Sequence, residues 1–165
     1  MLKHGWICPL AAVLISLAYM QNNIVSASGP ADQSNSRILV EIFLSKEHRG
    51  DIDRIVQELG RYSVTKIRPQ FFPLGNPPEN IAIGKAVPVD VAQSAIRLAI
   101  TYNRGVRFII AEKRLAPYYL AIGTSMFDER LQIPISPEDL NKLADPGLDS
   151  SRFHALYRQL AGDPE

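Results

Sequence analysis

The chain has 165 residues, 46% of them hydrophobic, and its 18 basic and 17 acidic residues give a formal net charge of +1. This near balance excludes functions that need a basic excess, such as non-specific binding to nucleic acid or to an anionic bilayer. A single cysteine, Cys8, excludes a disulfide framework, and the length suits one ordinary domain with its own core.

The first 27 residues have the pattern of a secretory signal peptide. Lys3 gives a basic start, an apolar stretch runs from Trp6 to Met20, and Val25-Ser26-Ala27 places small residues where a signal peptidase cleaves. This predicts cleavage before Ser28 and a periplasmic or secreted protein. The alternative is an uncleaved anchor that holds the protein at the membrane, although the apolar run is shorter than the roughly 20 residues that a spanning helix needs.

A disordered leader and one folded domain are predicted after the cleavage point. Residues 28–36 are small, polar and without periodicity, which is typical of disorder. Residues 37–162 are predicted to form a single α+β domain. Its first strand is the nearly all-apolar run 38–44. A first helix follows, because four apolar residues recur at the spacing of one helix face: Ile52, Ile55, Val56 and Leu59.

The middle of the chain is predicted to add two strands and a more strongly apolar helix. The second strand covers 62–68, and Pro69 places it at a sheet edge because proline cannot donate a ladder hydrogen bond. A proline-rich loop (70–79) leads to a third strand at 80–85. The second helix begins at Pro88, and its apolar face comprises Val91, Ala95, Leu98, Ala99 and Tyr102, widened by Ile96 and Ile100.

Two further strands and two helices complete the predicted domain. The runs 106–110 and 118–123 are the fourth and fifth strands. After an extended segment at 131–135, Ser136 caps a short helix, and Ser150 or Ser151 caps a final one. Residues 37–111 thus repeat the order strand–helix–strand, which favours a ferredoxin-like βαββαβ sheet with both helices on one face. The fifth strand would extend the edge opposite the second strand by a hairpin.

The second half of the predicted sheet has a recognisable order of elements. It comprises a strand that ends in glycine, a proline-containing turn, an alanine-rich helix, a glycine stop and a closing apolar strand: Ile81–Gly84, Val87-Pro88, Ala92–Thr101, Gly105 and Val106–Ile110. In this pattern, residues 38–111 resemble the SPOR family of exported domains, which bind the glycan strands of peptidoglycan. The resemblance implies a βαββαβ fold and a role at the cell wall.

Two segments carry residue types that a hydrolase uses. His48 lies in a charged strand-to-helix turn, and Ser125 precedes Asp128 and Glu129 after the fifth strand. Neither segment has a G-x-S-x-G or H-E-x-x-H motif, so we interpret both as solvated turns and keep a small secreted hydrolase as the alternative. His154 is predicted to be exposed on the final helix. We predict no metal site and no cofactor.

Aromatic residues beside an arginine suggest binding instead. Arg68 ends the second strand, Phe71-Phe72 follows it, and Tyr118 begins the fifth strand. An open sheet face with these residues can bind sugar rings or an extended peptide. The alternative is that the C-terminal helices cover this face.

We therefore predict a non-enzymatic binding module of the cell envelope, which contacts a partner protein or a glycan. Arg68, Phe71, Phe72 and Tyr118 are its predicted binding residues. An inhibitor or accessory domain for a secreted enzyme is a further alternative.

Overall fold

The computed structural model describes residues 38–62, 66–73 and 75–163, apart from the side chain of residue 129. These residues form a six-stranded mixed sheet and four α-helices, which confirms the predicted α+β class. The predicted signal peptide (1–27) and leader (28–36) lie outside the described residues. Within the described part of the chain, no helix is both long and apolar enough to cross a membrane.

The elements follow the sequence-predicted order. The strands are β1 (Leu39–Leu44), β2 (Lys66–Phe71), β3 (Asn80–Ile83), β4 (Phe108–Ile110), β5 (Tyr119–Ile122) and β6 (Ile133–Pro134). The helices are α1 (Ile52–Gly60), α2 (Val89–Tyr102), α3 (Pro137–Leu143) and α4 (Ser150–Leu160). The extended segment predicted at 131–135 supplies β6, so the sheet has one strand more than the five predicted.

The strand order does not confirm the ferredoxin-like arrangement. The sheet runs β2-β1-β5-β3-β4-β6, and β1 pairs directly and in parallel with β2, as β3 does with β4. β5 lies between these two units, parallel to β1 and antiparallel to β3. The prediction that β5 extends a sheet edge is therefore wrong. The physical reason is that Leu120, Ala121 and Ile122 are all apolar and fully buried, as in a central strand.

All four helices pack on one face of the sheet. The main core joins alternate residues of β1, such as Val40 and Ile42, with buried residues of every helix: Ile55, Ile96, Leu143 and Phe153. α2, which the sequence predicts to be the more strongly apolar of the first two helices, is also more buried than α1. Ile100, predicted on the buried face of α2, is instead 42% exposed.

The opposite face of the sheet carries no helix from the described residues. At its centre, Ala82, Ile110 and Ala121 form a small cluster that Leu115 and Phe127 cover from two loops. Towards β2 this face becomes polar, because Lys66, Arg68 and Gln70 are exposed there. The helix-free face is thus apolar under the loops and charged beside β2.

Each of the two outer strands has a proline whose backbone nitrogen faces away from the neighbouring strand. The backbone N–H of Lys66 donates to the carbonyl of Ile38, just before β1, and that of Phe72 donates to the carbonyl of Leu44, the last residue of β1. By alternation, the backbone nitrogen of Pro69 faces outward. At the other edge, the backbone N–H of Ile135 donates to the carbonyl of Arg107, the residue before β4. By the same alternation, the backbone nitrogen of Pro134 faces outward. The predicted edge position of the second strand is confirmed. Each edge therefore lacks a donor where an added strand would need one.

Candidate functional site

The candidate site is a pocket at the carboxyl ends of β3 and β4, where both strands leave the sheet. We call it the β3–β4 pocket. It has a volume of about 550 Å³, and its lining is Lys85, Glu112, Lys113, Leu115, Pro117, Arg158 and Asp163. This volume is that of a small-molecule site, and strand carboxyl ends are a common place for ligands in α/β sheets.

A close backbone crossing builds one wall of the pocket. Gly84 follows β3, and a Cβ atom at this position would overlap the carbonyl oxygens of Ala116 and Pro117. The backbone N–H of Ala86 donates to the Pro117 carbonyl at 2.8 Å, and that of Gly84 donates to the Tyr119 carbonyl at 2.8 Å. Glycine thus lets residues 116–117 cross the end of β3, which holds Pro117 beside the turn that carries Lys85.

A buried histidine–carboxylate pair lies beside the pocket. His154 Nδ1 is 3.1 Å from Glu112 Oε1, and His154 Nε2 is 2.9 Å from the Val87 carbonyl oxygen. Because a carbonyl only accepts, Nε2 carries a proton, and the contact with Glu112 needs a second proton on Nδ1 or on the carboxyl group. Arg158 Nη1 is 3.6 Å from the other oxygen of Glu112. The Glu112 carboxyl group is therefore engaged from two sides.

The position of His154 corrects a prediction. Its exposed fraction is 7%, whereas the sequence predicted an exposed residue. Burial is possible because Val87 and Glu112 together supply a partner for each ring nitrogen.

The end of the chain closes a second side of the pocket. Asp163 is 8% exposed, forms an ion pair with the Lys113 ammonium group, and accepts a hydrogen bond from the Lys113 backbone N–H at 3.3 Å. The bond from the Lys113 side chain holds the pKa of the Asp163 carboxyl group below its usual value. These contacts fix the segment after α4 to the turn after β4.

The pocket has one more cation than it has carboxylates. Lys113 and Arg158 are each close to one of the two carboxylates, Asp163 and Glu112. Lys85 is exposed and has no carboxylate partner among the described residues. The arrangement can therefore bind an anionic group at Lys85, with apolar contact supplied by Leu115 and Pro117.

Arg68, one of the predicted binding residues, belongs to a polar cluster on the helix-free face. Its Nη1 is 3.2 Å from Glu41 Oε1, and the Tyr119 hydroxyl donates to Glu41 Oε2 at 3.0 Å. Glu41 is 9% exposed although no described helix covers it, so the side chains of Arg68 and Tyr119 keep it from solvent. Burial and the bond to Glu41 raise the pKa of Tyr119 well above its usual value. Arg68 thus has a structural partner that the sequence did not suggest.

The other predicted binding residues do not join Arg68 on one surface. Phe71 packs against the helix-side core, and the guanidinium group of Arg49 lies 5.1 Å from its ring centre. Phe72 is half-buried, and its backbone N–H donates to the carbonyl of the last residue of β1. Tyr118 is exposed, and its backbone carbonyl accepts from the N–H of the first residue of β1. The predicted set is therefore spread over two faces and two ends of β1. The alternative that C-terminal helices cover the helix-free face is not observed, because α3 and α4 pack on the other face.

The hydrolase candidates make local contacts. His48 Nδ1 is 3.2 Å from Asp51 Oδ2, three residues later, and its ring meets the Tyr102 ring edge-on at 5.4 Å. Arg130 Nη2 is 3.1 Å from Asp128 Oδ2, and Ser125 is exposed. Within the described part of the chain, no serine or threonine hydroxyl hydrogen-bonds to a histidine, and no cluster of metal-ligating residues occurs. The nucleophile–base pair of a serine hydrolase is thus not formed by these residues.

The sequence contained a partial signal for the pocket. Lys85 and Glu112 are the first charged residues after β3 and β4, and functional side chains often follow strand ends. No local pattern joins them to Arg158 and Asp163 in the pocket or to His154 beside it, because the packing of α4 brings these residues there. Compared with known proteins, the chain matches no family model, no curated protein and no solved structure significantly.

Proposed function

We propose that the chain is an exported, non-enzymatic binding module of the cell envelope, and that it holds an acidic group of its partner in the β3–β4 pocket. The observation that carries the proposal is the pocket itself. It offers about 550 Å³ at the strand ends, its two carboxylates already have cationic neighbours, and Lys85 is left to bind an anion.

A carboxylate on a partner protein is the ligand that suits this lining best. The Lys85 ammonium group can form a charge-assisted hydrogen bond with it. Leu115 and Pro117 can contact the apolar part of the same residue. Two buried side chains of the pocket, Glu112 and Asp163, are held by other residues and so favour a preformed site over one that assembles on binding.

The envelope location rests on the N-terminal sequence and on the resemblance to SPOR domains. A basic start, an apolar stretch and small residues before Ser28 support export to the periplasm or beyond. The resemblance of residues 38–111 supports a role near the wall. A wall glycan is therefore the second ligand class to test.

The ligand proposal can be tested by titration calorimetry on the exported chain. The probes are short peptides that end in a free carboxylate, the same peptides with an amidated end, and an acidic glycan. We expect the free carboxylate to bind and the amide to bind weakly. Lys85→Ala should lower the carboxylate affinity about tenfold, which is the usual loss for one charge-assisted hydrogen bond.

Lys46→Ala is the matched control, because Lys46 is an exposed lysine without an ion pair among the described residues. The Lys46→Ala variant should bind the carboxylate peptide with the same affinity as the unchanged protein. Equal binding of the acid and the amide, or equal effects of the two lysine substitutions, would contradict the carboxylate proposal. Binding of the glycan alone would assign the pocket to the wall.

The export proposal has its own experiment. Full-length protein is expressed, cells are fractionated, and the N-terminus of the exported form is sequenced. We expect a start at Ser28. An intact N-terminus in the membrane fraction would show an anchor, and recovery only from the cytoplasm would overturn export.

A further inference from the structure

We infer that the groove between α1 and α2 is a second binding site, specific for a tetrahedral oxyanion such as a phosphate or sulfate group. We call it the α1–α2 groove. Its volume is about 230 Å³, and it shares no lining residue with the β3–β4 pocket. This volume is below the usual range for drug-sized ligands and suits one small anionic group.

Helical spacing brings the polar side chains of the groove together. From α1 it receives Arg54 and Glu58, which are one turn apart. From α2 it receives Ser94, Arg97 and Thr101, which recur at i, i+3 and i+7 and so lie along one side of that helix. Two arginines from different helices therefore line a single small groove.

The charges of these arginines are not compensated. Neither Arg54 nor Arg97 has a carboxylate partner among the described residues, and both are exposed. Glu58 is the one carboxylate of the lining, and the guanidinium group of Arg61 binds it at 2.8 Å. An anion placed in the groove would thus meet two guanidinium groups, whose planar sets of donors match the oxygens of phosphate and sulfate.

A buried hydroxyl group gives a second, independent indication of a ligand. Ser94 is 1% exposed, the residue belongs to the lining of the groove, and its buried Oγ atom has no hydrogen-bond partner among the described residues. Leaving a buried hydroxyl unpaired costs about 1–3 kcal/mol in typical proteins. An oxyanion supplies the missing acceptor. A tetrahedral group can accept from Arg54, Arg97 and Ser94 at once, which a planar carboxylate cannot do as readily from separate directions.

Phosphate chemistry can come from a free ion, from a phosphorylated sugar or from a lipid headgroup. NMR titrations of the exported chain with inorganic phosphate, glucose 6-phosphate and phosphatidylglycerol vesicles distinguish these sources. We expect phosphate to shift the backbone resonances of residues 54, 94 and 97. The source that binds most tightly identifies the natural ligand, and any of the three supports the site.

Matched variants separate specific binding from general charge effects. Arg54→Ala and Arg97→Ala should each weaken phosphate binding at least about fivefold, the loss expected for one charge-assisted contact. Arg152→Ala removes an exposed arginine of α4 and should leave binding unchanged. Lys85→Ala should also leave it unchanged, which keeps this test independent of the β3–β4 pocket.

Ser94→Ala gives a readout that a purely structural role would not produce. The substitution removes a buried, unpaired hydroxyl, so the melting midpoint should stay constant or rise while phosphate affinity falls. The inference is overturned if none of the three probes shifts the groove resonances. It is also overturned if Arg152→Ala weakens binding as much as Arg97→Ala does, or if Ser94→Ala leaves phosphate affinity unchanged.

Discussion

The hydroxyl group of Tyr157 donates a hydrogen bond to the carbonyl oxygen of Ile110 at a distance of 2.8 Å. The hydroxyl oxygen of Tyr157 accepts a hydrogen bond from the backbone N–H of Ile83 at 3.2 Å, so one side chain of α4 connects the ends of β3 and β4. Tyr157 is fully buried, and this burial raises its pKa well above the usual value. The hydroxyl therefore remains a donor at neutral pH, and α4 is fixed to the sheet beside the β3–β4 pocket.

Tyr157→Phe should lower the free energy of unfolding by about 1–3 kcal/mol, because it leaves the buried N–H of Ile83 and the carbonyl of Ile110 without this partner. Denaturant melts measure the change. Tyr118→Phe removes a hydroxyl from an exposed tyrosine and should stay within about 0.5 kcal/mol. Equal effects of the two substitutions would mean that the bridge between the strands contributes nothing.

Gly84→Ala should destabilise the protein by more than 2 kcal/mol, roughly the scale of an overpacked core, because its Cβ would overlap two backbone carbonyl groups. The crossing segment would have to move, so ligand binding in the β3–β4 pocket should also weaken. Gly60→Ala is the matched control at the end of α1, where an added Cβ meets no atom within 4 Å. That control should be neutral or stabilising, by up to about 1 kcal/mol. A stable Gly84→Ala protein would contradict the crossing geometry.

The Lys113–Asp163 ion pair predicts a pH dependence of stability. The pKa of the folded-state Asp163 carboxyl group lies below the ordinary value of about 3.9, so the pair stabilises the fold above that pH. As pH falls through the folded-state pKa, the carboxylate becomes protonated and this stabilisation is lost. The difference in unfolding free energy between the native protein and Asp163→Asn should therefore be full at pH 7 and shrink below about pH 4.

Urea melts between pH 7 and pH 3 measure this difference. Asp53→Asn is the control, because Asp53 is exposed and has no ion pair among the described residues. Its unfolding free energy at pH 7 should differ less from that of the native protein than the value for Asp163→Asn does. If the difference in unfolding free energy between the native protein and Asp163→Asn stays constant down to pH 3, the ion pair does not stabilise the fold.

Local patterns in the sequence predicted the elements well. Ile55 and Leu59 recur at helical spacing, and both are fully buried in α1. Ser136 was predicted as a helix cap, and its hydroxyl accepts from the backbone N–H of Asp139. These features depend on residues within one or two turns of each other, so the chain itself encodes them. Ile100 shows the limit, since periodicity places it one turn after Ile96 but does not show where the neighbouring elements end.

Strand order and the pocket depend on contacts between distant residues. The apolar run of Leu120, Ala121 and Ile122 contained a signal for a central strand, yet nothing local shows that β5 separates the two β–α–β units. In the same way, Glu112 and His154 are 42 residues apart, and their bond forms only after α4 packs on the sheet. The elements were therefore predictable, whereas their neighbours and the resulting site were not.

The outward-facing proline of β2 should keep the protein from associating through that edge. In β2 only Ile67 and Phe71 have N–H groups that point outward, and Pro69 between them offers none. Pro69→Thr restores the missing donor and adds a β-branched residue that favours strands. We expect the variant to form dimers or larger species as concentration rises in sedimentation velocity runs, with an unchanged melting midpoint at low concentration because the new N–H faces solvent.

Pro73→Thr is the matched control for this edge, because Pro73 is exposed and follows the strand without belonging to it. It should remain in the oligomeric state of the native protein at every concentration. Pro134→Thr frees the opposite edge, but β6 has only two residues, so its effect should be smaller than that of Pro69→Thr. If Pro69→Thr sediments like the native protein at all concentrations, other features of the edge prevent association, and exposed Lys66, Arg68 and Gln70 are the next residues to test.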